Sequence, residues 1–174
     1  MNKPLVEFLS RDLEWVQPNA LKFEYELRAG DEVAATLKFR SSFGTHATAQ
    51  SADGTWTMKR VGFFQTRVTV RESGAETDLA VFRNNTWRSG GTLEFPDGRH
   101  YRASTNLWQT KYHIQSAEDR VLLEYHTRGM LRLTGGVTVS REAATLKELP
   151  WLVALGWYLV VMLHGDSAAS AGAS

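Results

Sequence analysis

Hydrophobic and polar residues alternate with a period of two along most of the chain. In residues 21–28, Leu21, Phe23, Tyr25 and Leu27 share one face, while Lys22, Glu24, Glu26 and Arg28 share the other. Residues 33–39 repeat the pattern with Val33, Ala35, Leu37 and Phe39. Between them, Ala29-Gly30-Asp31-Glu32 can reverse the chain because Gly30 tolerates positive φ, so this segment is expected to be a hairpin. Farther on, Phe64, Thr66, Val68 and Val70 oppose Gln65, Arg67, Thr69 and Arg71. Leu93 and Phe95 lead into the turn Pro96-Asp97-Gly98, and Tyr101, Ala103 and Thr105 follow it. Trp108, Thr110, Tyr112 and Ile114 alternate with Gln109, Lys111, His113 and Gln115. Val121, Leu123 and Tyr125 then alternate with Leu122, Glu124 and His126, and Leu131, Leu133, Val137 and Val139 complete the series around Gly135-Gly136. About a dozen short strands with one apolar face each predict an antiparallel sheet, wet outside and dry inside.

The period changes after Ser140. Leu149 to Leu163, LPWLVALGWYLVVML, carries no charge and reads as a helix over about 146–164. Thr145 and Glu148 have the spacing of a capping box; alternatively Pro150 occupies the first turn, where its missing N–H does no harm. His164-Gly165 supplies a C-terminal stop, and residues 165–174 are expected to be a disordered tail. Fifteen helical residues rise about 22 Å, short of a hydrocarbon core of about 30 Å. Trp157 and Tyr158 sit in mid-segment, whereas membrane helices hold such residues at the interfaces. A helix apolar all round can instead be buried all round by protein. A dozen strands closed into a barrel leave a lumen too wide for their own side chains to fill. The expected fold is therefore mainly β: a closed antiparallel barrel of about 12 strands around a central hydrophobic C-terminal α-helix, forming one domain over residues 1–164. A tail-anchored protein with a cytoplasmic β-domain is the competing architecture.

Composition narrows the chemistry. The 174 residues are 43% hydrophobic and 22% charged, with a net charge of +1, so no global charge points to nucleic acid or to an acidic substrate. Residues 56–141 are mildly basic and both flanks mildly acidic. The absence of cysteine removes disulfides, thiol nucleophiles and thiolate metal sites, and fits a reducing compartment. The opening MNKPLVEFLSRDLEW has neither the apolar core nor the cleavage site of a signal peptide, so a cytoplasmic location is expected.

The order of parts, the glycine turns SADGTW (51–56) and FPDGRHY (95–101) and the closing LPWLVALGWYLVVML together resemble the tubby C-terminal-like superfamily. That group includes the tubby C-terminal domain, the LURP-one-related proteins and the phospholipid scramblases. The resemblance covers nearly the whole chain and implies the same threaded barrel. Functionally it implies phosphoinositide binding as in tubby domains, lipid movement as in scramblases, or a role with no assigned activity. The chain departs from the scramblase pattern: it has no cysteine to carry palmitate, and VTVSREAATLKE, before the helix, holds no acidic calcium loop.

No nucleophile elbow, zincin motif, P-loop or dinucleotide fingerprint occurs. His46, His100, His113, His126 and His164 lack ligand spacing, and Asp97 beside His100 is explained as a turn residue. The expectation is a non-enzyme without metal or cofactor. Trp56, Trp87 and Trp108 lie near arginines, but no dense basic stripe accompanies them, and Trp108 shares the apolar face of Tyr112 and Ile114, a core position. Nucleic acid is therefore not the expected partner. One candidate binding face remains: Arg67, Arg71, Lys111, His113 and Arg132 lie on polar positions and, if their strands adjoin, form a basic patch for a phosphate headgroup or acidic partner. The function expected is binding of a protein partner or of an anionic, phosphoinositide-like lipid surface; carriage of a small apolar ligand in the lumen is the further alternative.

Overall fold

A computed structural model of the chain describes residues 2–41, 44–62, 66–85, 90–106, 108–129 and 132–171. Twelve strands follow one another: β1 (Leu13–Val16), β2 (Glu24–Ala29), β3 (Glu32–Phe39), β4 (His46–Ser51), β5 (Gly54–Val61) and β6 (Arg67–Glu72), then β7 (Ala80–Asn84), β8 (Gly90–Glu94), β9 (His100–Thr105), β10 (Lys111–Gln115), β11 (Val121–Arg128) and β12 (Thr134–Val139). Each pairs antiparallel with the next. β1 pairs with β12, Leu13 opposite Val137, which closes the barrel without a free edge. The first hairpin forms, with Gly30 at φ 62°, but a register shift places Val33 opposite Arg28, so Ala34 rather than Val33 joins Ala35 and Leu37 in the interior.

The helix α1 (Leu149–Ala171) runs through the lumen. From Leu149 to Val161 its side chains are buried, apart from the partly covered Pro150, against inward residues of the strands. Trp157 is the centre: fully buried, it stacks on Trp15 at 5.8 Å and 3°, meets Tyr25 edge-on and lies against Tyr125 at a tilt of 33°. One residue earlier the helix touches the wall. A Cβ at Gly156 would overlap the Tyr125 ring, with Cε2 at 2.5 Å, and the Tyr125 hydroxyl already donates to Val153 O at 2.8 Å. Gly165, on the exposed turn of the same helix, has open space around it. Glycine to alanine is therefore expected to act with opposite sign at the two positions. Gly156→Ala should destabilise by about 1–3 kcal/mol through overpacking, and Gly165→Ala should stabilise by up to about 1 kcal/mol through helix propensity. Guanidinium unfolding of both variants measures this, and a stabilised Gly156→Ala would mean that the helix does not press on β11.

Several local expectations are corrected. Trp108 is not in the core: it is 80% exposed, in a turn that precedes β10. The Asn106 side chain accepts from Thr110 N and Lys111 N at 2.9 Å each, and Gln109 adopts φ 54°. The chain therefore reverses here, and the phase shared with Tyr112 is coincidental. Leu21 lies before β2 and is exposed, so it does not extend the face of Tyr25 and Leu27. A register shift places Ile114 opposite Leu123 and Gln115 opposite Val121. Leu122 becomes the extra residue of a bulge and is buried, while Val121 turns outward. Phe64, Trp87 and Leu131 lie outside the described residues.

The helix begins at Leu149, with Pro150 in its first turn, and no capping box forms: the Thr145 hydroxyl donates to Glu142 O, and Glu148 is engaged elsewhere. It also continues past Gly165, beyond the expected stop. Arg60 clamps Asp166 through both carboxylate oxygens at 3.0 and 2.9 Å, and the hydroxyls of Ser167 and Ser170 donate to carbonyls four residues back. These contacts hold the last turns where their own apolar content does not.

Candidate functional site

In an up-and-down barrel the connections alternate between two ends. The helix enters at the end holding the β2–β3, β4–β5, β6–β7, β8–β9 and β10–β11 turns, here called proximal. It leaves at the distal end, beside the β9–β10 turn, where Ser167 donates to Gln109 Oε1 at 3.0 Å.

This division sorts the charges. Proximal acids and bases mostly pair: Lys3 and Arg11 with Glu32, Arg71 with Asp78, and Arg120 with Glu118 and Glu142. Glu7, Glu72 and Glu76 add to the acidic side of that end. The distal rim is different. Exposed Lys22, Arg40, Lys59 and Arg67 lie along one side of it, and Lys111 and Arg128 on the other, with Arg132 between β11 and β12. Asp166 is already held by Arg60. Arg67 stands opposite Arg83 in the β6–β7 register, but Arg83 is paired with Glu94 at 2.8 Å, so its charge is already met. His46 registers the same field: burial lowers its pKa below 6.5, and Arg40 and Lys59 push it in the same direction.

The five residues predicted as one face are therefore only partly assembled. β6 and β10 have three strands between them, about 19 Å around the wall at about 4.8 Å per strand. Arg71 lies towards the proximal end in an ion pair with Asp78 at 2.6 Å, and His113 lies in mid-strand against Glu124 at 2.6 Å. Arg67, Lys111 and Arg132 do share the distal rim. On it stands Trp108, on a turn pinned by Asn106 and by Thr127, whose hydroxyl donates to Gln109 O at 3.1 Å. An indole carried into water by such a turn loses apolar burial and gains nothing within the barrel.

Two further clusters escaped the sequence reading. On the outer wall, Glu124 lies between His113 and His126 and takes a hydrogen bond from each. Burial raises the pKa of its carboxyl, but the two imidazoles outweigh this and hold it below the ordinary range. Hairpin register alone brings His113 opposite Glu124, so pairing the two strands on paper could have found it. Among the described residues no group of His, Cys, Asp or Glu can hold a metal ion.

The second cluster is proximal. The Glu148 carboxylate, its side chain only 4% exposed, accepts from Arg99 Nη1 and Tyr101 Oη, both at 2.6 Å. Arg99 in turn lies over Phe95, 4.5 Å from its centroid, and pairs with Asp97. These residues border a cleft of about 430 Å³ lined by Trp56, Leu79, Phe95, Pro96 and Trp151. Burial raises the Glu148 pKa, yet the Tyr101 and Arg99 hydrogen bonds prevail and hold it below 4.5. A folded-state pKa below the unfolded one contributes stability that is present above about pH 4.5 and lost as pH falls through the folded value. Glu148→Gln should therefore be less stable at pH 7 and show a shallower loss of stability below pH 4.5, read by thermal melts across pH; an unchanged acid limb would dismiss the pairing.

No protein-family model, curated protein or solved structure matches the chain.

Proposed function

We propose that this is a non-catalytic barrel of the tubby-like type that docks its distal rim on an anionic membrane surface. The observation supporting it most is the axial separation of charge: mostly paired ions at the proximal end, and exposed cations around the rim with the exposed Trp108 at the distal end. Lysine and arginine near a surface gain about 1 kcal/mol each from anionic lipid, and indoles favour the headgroup layer. Such a footprint suits a lipid sheet better than one small ligand, since the cations ring the rim without converging on a point. The apolar helix is sheathed by strands, which supports this reading over a tail anchor, and it fills the lumen that an apolar-ligand carrier would need.

Flotation with vesicles of zwitterionic lipid, with and without added phosphatidylserine or phosphoinositide, tests the proposal. Binding is expected only with anionic lipid, weakening as salt rises. Lys111→Ala combined with Arg132→Ala should lose roughly 30-fold in affinity, about 2 kcal/mol for two cations. Equal binding to neutral vesicles, or no binding even at low salt, would end the proposal.

A further inference from the structure

We infer that the chain also associates head to tail with itself, the Trp108 turn of one copy seated in the proximal cleft of the next. The knob and the hole lie on opposite ends of one molecule. The knob is the exposed indole of Trp108 on its pinned turn, with Lys111 at the adjoining strand start. The hole is the cleft of about 430 Å³ walled by Trp56, Leu79, Phe95 and Trp151, within the size range of pockets that bury a small ligand.

Charge agrees with shape. Arg99, on the cleft wall, is neutralised by Asp97 and Glu148. Lys147 also lines the cleft, but Glu72 at its lip and Glu76 in the adjacent β6–β7 turn give that side an acidic margin. The incoming rim brings Lys111, Arg128 and Arg132. Burying one indole on the order of 200 Å² against aromatic walls is a modest anchor, so each joint is weak and depends on salt. Because the two surfaces differ, the contact cannot close a two-fold dimer; it leaves an open hole at one end of the growing chain and an open knob at the other. The proposal shares the distal rim with membrane docking but not its partner, so bilayer and second copy compete for Trp108.

Sedimentation velocity of the full chain over rising concentration at low salt tests it. Mass should climb through successive multiples of the monomer and return to monomer in high salt. Two half-dead variants sharpen the test: Trp108→Ser keeps the hole but loses the knob, and Glu72→Lys with Glu76→Lys keeps the knob but loses the acidic lip. Each alone should stay monomeric, while an equal mixture should stop at the dimer. A wild-type chain that remains monomeric throughout, or a mixture with no dimer, overturns the inference. The lip variant leaves the distal rim intact and, with its added positive charge, should float with anionic vesicles at least as well as the wild type. Loss of self-association and loss of membrane binding are thereby read separately.

Discussion

A chain ending at Leu146 is expected not to fold. Its twelve strands would still alternate, but their inward faces would line an empty tube. The deleted segment buries Trp151, Leu152, Leu155, Trp157, Tyr158 and Leu159, among others. About ten large side chains at roughly 2 kcal/mol each give on the order of 20 kcal/mol of gross burial, an upper bound. Net stabilities are about 5–15 kcal/mol, so no redistribution among the strands can offset such a loss. Circular dichroism, gel filtration and thermal melting of the shortened chain measure it. A dispersed monomer with the full-length β spectrum and a cooperative melt would show that the barrel does not depend on its helix.

Trp157→Ala should be the most damaging single substitution in the core, at about 3–5 kcal/mol. The indole touches β1, β2 and β11 at once through Trp15, Tyr25 and Tyr125, so the void would open where three walls meet. Trp157→Phe should cost clearly less. Among the described residues the buried Nε1 of Trp157 has no hydrogen-bond partner, and phenylalanine removes that donor along with the lost area. Guanidinium midpoints of the two variants give the comparison. A loss below about 1 kcal/mol for Trp157→Ala would mean that the barrel contracts around the gap.

The architecture was legible because a single physical contrast set it. Period-two faces demanded a covered interior, and Trp157-Tyr158 in the middle of an uncharged stretch were wrong for lipid but right for a lumen. Local detail was less legible where polar side chains override the pattern. Asn106 ends a strand before Trp108 by capturing two backbone N–H groups, and Leu122 turns inward at a bulge; neither event alters hydrophobicity along the chain. The His113–Glu124–His126 cluster needed a register, which is a property of two strands together. The basic face failed for a related reason. Arg71 and Lys111 hold equivalent polar positions on their own strands, yet they fall at different ends of the barrel with three strands between them. Sorting charges by which end each turn occupies needs only strand boundaries and their alternation, and it would have placed Arg67, Lys111 and Arg132 on a common rim.

The joint between β1 and β12 sets the order of assembly. Leu13 meets Val137 only after every intervening residue has been synthesised, so the first strand must wait, half-partnered, for the twelfth. Contacts so distant in sequence are slow to form. The helix is made later still, so the nascent sheet spends its growth with a greasy concave side bare. This timing predicts that the ribosome-bound protein is a substrate for holding chaperones until α1 emerges.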